Sequence, residues 1–265
     1  MRDLHPNLGR GATGIRLRIY QLSLLLTLAF AGGAFLLVAL GVIPGTPVDI
    51  YSSWVILIVL FVPFMALMDG RGVKRTRLEK WSEFGFVWLL VSGIAQTFWE
   101  LPWFFLDLTG IVHHITAADG YLWAWWVYGG ADTRYITSNP TIAGLEFMAG
   151  FSGPFELYAW YLYKTGKTMR AKVAACWMAL IIGVGLTYMT GVFFVAEWHV
   201  GWVNIQQGAL GFWLKFVGLN VPWIVAPAIA IPAAILELAH LYRVEGYEAA
   251  RRDMVARPGL GQAAE

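Results

Sequence analysis

Apolar residues run along the chain in long blocks separated by short polar stretches. Six of these blocks approach or exceed the roughly 20 residues that a helix needs to cross a bilayer core about 30 Å thick. They extend from about Ile19 to Ile43, Trp54 to Met68, Phe84 to Leu108, Ile142 to Tyr163, Val173 to Ala196 and Phe212 to Leu238. The second is short and its helix is expected to begin nearer Asp49. The pattern predicts an all-α membrane protein, a six-transmembrane helix bundle. The first block ends at Pro44 without a small-residue cleavage motif and another span follows at once, so it is read as a retained helix rather than a signal peptide.

The polar stretches between the blocks carry a strong asymmetry. Arg2, Arg10, Arg16 and Arg18 precede the first block; Arg71, Lys74, Arg75, Arg77 and Lys80 separate the second and third. Lys164, Lys167, Arg170 and Lys172 separate the fourth and fifth, and Arg243, Arg251, Arg252 and Arg257 follow the sixth. On a six-span path 17 of the 19 basic residues fall on one side, with Arg134 and Lys215 as the exceptions. The positive-inside rule then places both termini in the cytoplasm. Five or seven spans would break the pattern.

On the opposite side lies one long connection, roughly Thr109 to Pro140, with His113, His114 and the aromatic run Tyr121, Trp123, Trp125, Trp126 and Tyr128. It is expected to be an interfacial or re-entrant segment that caps the bundle, although an ordinary interface belt of aromatics has the same composition. Adjacent histidines point apart on a helix and no cysteine or acid stands at ligand spacing, so no metal site is expected.

Composition narrows the class further. With 58% apolar, 15% aromatic and 14% charged residues and a mean hydropathy of +0.59, the 265-residue chain exceeds the apolarity of soluble domains. A formal net charge of +2 implies no nucleic-acid partner, and the lone Cys176 excludes an internal disulfide and a thiolate cluster. Cys176 itself reads as lipid-facing or as core filler.

Against this background the intramembrane acids stand out, because a charged side chain at bilayer depth costs several kcal/mol (roughly 2.5–3.5 on insertion scales) and marks a functional site by default. Glu100 sits in the third block, with Gln96 four residues earlier on the same helical face and Pro102 breaking the hydrogen-bond ladder just beyond. A structural polar contact between helices is the plainer reading of that pair. Glu146 lies in the fourth block, preceded by Asp132, Thr133, Arg134, Tyr135, Asn139 and Pro140 and followed by Gly153 and Pro154, which permit a kink with close backbone approach. Glu156 is nearer the basic end, where snorkelling or pairing with Lys164 or Lys167 is expected.

The string Tyr128, Gly129, Gly130, Ala131, Asp132, Thr133, Arg134, Tyr135, with Glu146 twelve residues beyond the arginine and then Gly153 and Pro154, resembles the signature of the emopamil-binding protein (EXPERA domain) family, which includes the sterol Δ8–Δ7 isomerase. Glu100 with Trp103 is similar to the acid and aromatic of that family's second span, Tyr188 through Glu197 to its fourth, and Asn220, Trp223 and Pro227 to its last. The likeness runs from about Trp54 to Leu241. A fainter likeness to cycloeucalenol cycloisomerases covers Val62 to Phe105, and these also carry an additional first span.

The resemblance implies a membrane isomerase that shifts a carbon–carbon double bond in a sterol-like or polycyclic isoprenoid lipid, by protonation and deprotonation through a carbocation and without a cofactor. Burial in apolar surroundings favours the neutral acid, so one of Glu100 and Glu146 can deliver the proton while the other accepts one. Gln96 would orient Glu100. Trp99, Trp103, Tyr188 and Trp223 would stabilise the cation with their ring faces, and Asp132, Arg134, Tyr135 and Asn220 would complete the lipid site. An amphiphilic amine, whose ammonium imitates the cation, is an implied ligand. Two departures bear on this transfer: Gln96 stands where the family's isomerases carry a histidine, and Thr190 where a further acid is expected. A non-catalytic sterol or lipid binder is therefore the alternative, and a proton-coupled transporter a third, against which no internal repeat is found.

The implied organisation is an N-terminal cytoplasmic segment and additional helix (1–50), an EXPERA-like five-helix bundle (51–242) and a cytoplasmic tail (243–265), expected to be helical and then frayed after Pro258. The pocket is expected to open near the non-cytoplasmic half, and Gly32 and Gly33 leave a homodimer open.

Overall fold

The structure, a computed structural model, describes residues 14–69 and 74–256. Arg2, Arg10, Arg71, Arg257 and the stretch after Pro258 lie outside the described residues. Helices α1 (Gly14–Ala39) and α2 (Gly45–Phe61) come first, α2 running on into a 3₁₀ turn over Val62–Leu67. Then follow α3 (Arg77–Leu108), α4 (Trp123–Gly129), α5 (Pro140–Thr165) and α6 (Met169–His199). A π-helical segment, Leu210–Gly218, and a single turn, Pro222–Val225, lead into α7 (Pro227–Ala256). Among the described residues there is no strand, only an isolated bridge between Asp132 and Ile205.

Five stretches among the described residues are long and apolar enough to cross a membrane: Gly14–Ala39, Val48–Leu67, Arg77–Leu108, Met169–His199 and Leu210–Asp253. Helix α5 is not one of them. Its 26 residues would reach about 39 Å at 1.5 Å per residue, but two glutamates, two prolines and three glycines dilute its apolarity.

Local chemistry sets the helix starts. Thr76 and Glu79 form a reciprocal capping box at α3, Asn139 accepts from the amides of Thr141 and Ile142 ahead of Pro140, and Thr168 accepts from Ala171 at α6. Where α3 meets Pro102, which lacks the N–H for an α-helical bond, residues Gln96–Glu100 widen into a π turn.

Helices α3, α5, α6 and α7 close into a ring in which each packs on two neighbours. Leu89, Ala159, Tyr163, Ala175, Cys176, Leu238 and Leu241 fill its basic end, so Cys176 is core filler rather than lipid-facing. Trp103, Val112, Tyr128, Tyr135, Ile142, Phe193 and Phe216 fill the other end beneath the 109–140 connection. That connection is a series of short turns over Ile111–His114, Gly120–Leu122 and Thr133–Tyr135 around α4, with His113 Nε2 held 2.7 Å from Asp107 Oδ1.

Helix α1 stands outside the ring with many leucines exposed, and it is tied at both ends. At the basic end Glu83 gathers Arg16 (2.9 Å), Tyr20 (2.9 Å) and Arg75 (2.7 Å). At the other end Phe35 meets Trp123 edge-on at 4.7 Å.

The two basic residues that break the charge asymmetry are both buried and paired. Lys215 donates to Asp49 Oδ2 (2.6 Å), Gln207 Oε1 (2.9 Å) and Val127 O (3.1 Å), which joins α2, the α4 segment and the π-helical stretch. Arg134 is held by Asp132 and Glu197. Neither is available to act as a topology signal. Breaking the first pair strands a buried charge, so Asp49→Asn is expected to destabilise the fold by about 3 kcal/mol. That loss should appear as a lowered unfolding midpoint in detergent, whereas the same change at exposed Asp253 should leave the midpoint within error.

Candidate functional site

Helices α3 and α5 approach one another without intervening side chains. A Cβ built on Gly150 would lie 2.7 Å from Leu101 Cα, and one on Gly153 would lie 2.6 Å from Thr97 N. Both distances are far below any tolerable contact, so the backbone of α5 rests directly on the π turn of α3. Pro154 adds to this fit, since its missing N–H frees the helix from the bond to the Gly150 carbonyl.

That approach brings Glu100 and Glu146 together. Their carboxyls face each other across the interface within hydrogen-bonding reach. Glu146 Oε1 also accepts from the Tyr135 hydroxyl. Glu100 as a residue is half-buried, but its Oε2 is fully enclosed, as is Oε2 of Glu146, and neither of these atoms has a hydrogen-bond donor. A hydrogen bond between two such carboxyls needs a proton on one of them.

Aromatic rings close the space around the pair. Trp103 contacts Tyr135 edge-on at 5.0 Å and its indole N–H donates to the Tyr135 carbonyl at 3.2 Å. Tyr128 meets Tyr135 at 4.8 Å and Trp99 at 5.8 Å, and Trp125 stacks on Trp99 at 5.6 Å. Asn220 donates to the Tyr128 hydroxyl at 2.9 Å and to the Phe216 carbonyl at 2.8 Å, which ties the π-helical segment to this wall.

Behind Tyr135 lies a buried ionic core. Arg134 Nη2 lies 2.6 Å from Asp132 Oδ2, its Nε 3.3 Å from Glu197 Oε2, and its guanidinium sits 4.5 Å from the centre of the Phe193 ring. Burial works against the Arg134 charge, but the Asp132 carboxylate beside it outweighs that and raises the guanidinium's pKa. Burial likewise pushes the Asp132 carboxyl above its ordinary range, against the pull of Arg134. Glu197 in turn accepts from Asn204 through both its backbone and side-chain N–H groups, each at 2.9 Å.

Of the residues singled out in the sequence, Glu100, Glu146, Trp99, Trp103, Tyr135 and Asn220 gather in one place. Asp132 and Arg134 stand one layer behind, satisfied by each other and by Glu197, and support Tyr135 rather than face the pair. Gln96 is buried beside Gly153 with its Oε1 unpartnered. Trp223 is buried lower in the ring, where it donates to Ser92 Oγ at 3.0 Å and meets Trp88 at 5.6 Å. Tyr188 lies on the outer face of α6, 74% exposed, away from the pair. Glu156 does not snorkel to Lys164 or Lys167: it is 1% exposed, because the face of α5 that carries it turns into the ring.

Tyr128 and Glu197 do not stand out individually in the sequence, yet Tyr128 joins the ring wall and Glu197 holds Arg134 and Asn204. A cavity of about 40 Å³ lies not at the carboxyl pair but in the basic half of the ring, beside Glu156, Tyr163 and Glu237.

Residues 119–232 match the family model described as EBP: EXPERA (EXPanded EBP superfamily). The chain is 29% identical over 158 residues to the 3-beta-hydroxysteroid-Delta(8),Delta(7)-isomerase of Mus musculus, a match covering 58% of this chain and 60% of the relative. It is 31% identical over 121 residues to the protein of that name from Rattus norvegicus, covering 44% and 49%. It is 27% identical over 106 residues to a probable one from Oryza sativa subsp. japonica, covering 40% and 46%. The matches thus span between 46% and 60% of these relatives' lengths.

Because the α3–α5 approach depends on bare backbone, Gly150→Val is expected to force the helices apart and cost about 1–3 kcal/mol. Gly144→Val, at a position where a Cβ meets nothing, should cost less than a third of that in the same unfolding experiment.

Proposed function

We propose that this chain, a member of the EBP family of EXPERA membrane proteins, is an isomerase that shifts a carbon–carbon double bond in a sterol-like or polycyclic isoprenoid lipid. The observation that carries this reading is the Glu100–Glu146 pair, two carboxyls in mutual contact within an aromatic enclosure. The relatives' names supply the substrate class.

Such a pair can hold one proton and one vacancy for a proton, which is what an isomerisation needs. The protonated carboxyl donates to one alkene carbon, and the π electrons form the new C–H bond. A tertiary cation is left on the adjacent carbon. The ionised carboxyl then removes a proton from a neighbouring carbon, whose C–H electrons become the new double bond. Atoms and charge balance with no redox partner. The Tyr135 hydroxyl, donating to Glu146, steadies the ionised member. The rings of Trp99, Trp103 and Tyr128 would stabilise the cation, a contribution of about 2 kcal/mol or more where water is excluded. Tyr188, turned outward, would leave this work to Tyr128. An amphiphilic amine would meet the same carboxyls and rings.

Admitting a polycyclic skeleton requires a wall to part. The Trp99–Trp125 stack is the candidate, held by one long indole bond of 3.4 Å from Trp125 to the Trp99 carbonyl. In the membrane, α5 would serve as the fourth of six spans, its polar residues turned into the ring, with both termini on the basic, cytoplasmic side and the 109–140 turns on the other. Residues 51–242 would form the five-helix EXPERA bundle, α1 an added span clasped through Glu83, and 243–265 a cytoplasmic tail.

Glu100→Gln and Glu146→Gln should each lower turnover of a Δ8 sterol by at least about 100-fold, measured by gas chromatography and mass spectrometry in vesicles containing the protein. Unchanged rates in both variants would refute the acid–base assignment. The glutamine at position 96 favours a second reading, a lipid binder. A sterol that copurifies but takes up no deuterium from heavy water would establish it.

A further inference from the structure

The cavity in the basic half of the ring has no part in the reaction above, yet its polar lining is Ser82, Glu156, Tyr163 and Glu237. Tyr163 Oη lies 2.6 Å from Ser82 Oγ and donates to Glu237 Oε1 at 2.7 Å. About 40 Å³ is room for roughly three or four waters, at about 10–15 Å³ each, and the lining provides the polar partners that such waters require. Glu156 lies deepest along α5. One side of its carboxyl is bonded with Ser92, and Oε2 has no partner. Ser92 Oγ accepts from the Trp223 indole at 3.0 Å, which leaves its own hydrogen for Glu156. As a packing element a half-satisfied buried acid is a poor choice, since each unmet polar atom costs about 1–3 kcal/mol.

The polar line continues from Glu156 to the carboxyl pair. Ser92, Gln96 and Glu100 recur every four residues on α3 and so stack on one face. A Cβ on Gly93 would sit 3.0 Å from Glu156 Cβ, and one on Gly153 would sit 2.8 Å from Gln96 Cβ, so this face is the one that meets α5. Gln96 Oε1 and Thr97 Oγ1, both buried and without partners, lie between Glu156 and Glu100. The separation from Ser92 to Glu100 is about 12 Å along the helix.

We infer that the α3–α5 seam is the route by which the carboxyl pair exchanges protons with water at the basic end, with Glu156 as its intermediate station. A proton arrives on one Glu156 oxygen as another leaves from the second. Where the closely packed seam parts, a water bonded to Gln96 and Thr97 carries it on to Glu100, and each hop leaves the number of protons and electrons unchanged. The purpose of the route rests on the acid–base reading of the pair, but the exchange itself is measurable without substrate.

The test is infrared spectroscopy of the full chain in lipid vesicles on transfer to heavy water. The carbonyl band of the protonated pair is identified by its loss in Glu146→Gln. Its deuterium shift should slow at least about tenfold in Glu156→Gln and in Ser92→Ala. Equal rates in wild type and both variants would overturn the route. If Glu156→Gln does not fold, Ser92→Ala decides alone, with the circular dichroism melt as its check on folding. Loss of the isomerase reading shows separately, as unchanged turnover in Glu100→Gln and Glu146→Gln, and leaves the exchange result standing.

Discussion

Two helices lie against each other with backbone touching backbone, and the site exists because of it. Gly150 and Gly153 on α5 rest on Leu101 and Thr97 of α3, at the place where Pro102 has already widened the helix into a π turn. Side chains on either side of that contact have nowhere to go but toward each other. Glu100 and Glu146 thereby come within reach of a shared hydrogen bond. Held apart in hydrocarbon, each would be an unmet acid at a cost of several kcal/mol (roughly 2.5–3.5 on insertion scales), and the usual outcome would be loss of the residue.

The same rule governs the other charges. Arg134, Lys215 and Glu83 are all enclosed, and each has opposite charges or carbonyls within bonding distance. Their contacts join segments far apart in the chain: α1 to α3 through Glu83, α2 to the π-helical segment through Lys215, and the turn before α5 to α6 through Arg134. The ionic core around Arg134 has a further consequence, since it pins the residue next to Tyr135 and so fixes the direction from which that hydroxyl reaches Glu146. Stability and site geometry are coupled here through one side chain's neighbour.

Polarity within the ring follows a single line rather than a scattered set of points. Ser92, Gln96 and Glu100 on one helix face Glu156, Gly153, Gly150 and Glu146 on the other, while leucines, phenylalanines and tryptophans fill the flanks. Such an arrangement keeps the outer faces of α3 and α5 apolar for lipid and still lets polar atoms run through the middle. It also explains why α5 alone among the long helices is too polar to qualify as a span by hydropathy.

Much of this was legible beforehand. Apolar block length indicates a membrane-embedded helical protein, the spacing of Gln96, Glu100 and Pro102 a polar, interrupted face, and the string from Tyr128 to Glu146 the likeness to EXPERA proteins that residues 119–232 match. Trp99, Trp103, Tyr135 and Asn220, singled out by the same resemblance, lie near one another in the fold. What one dimension could not say is which way a side chain on a nearly uniform apolar helix points, because helices α6 and α7 carry apolar residues all round and their rotation is set by neighbours. Tyr188 on α6 faces the exterior for that reason, while Trp223, in the turn before α7, faces Ser92, and Glu156 on α5 faces inward although lysines stand close by in the chain. Residue identity and spacing thus determined the class of the protein and the chemistry available to it. Only the packing of α5 on α3, a matter of two missing side chains and a proline, decided that the acids face each other.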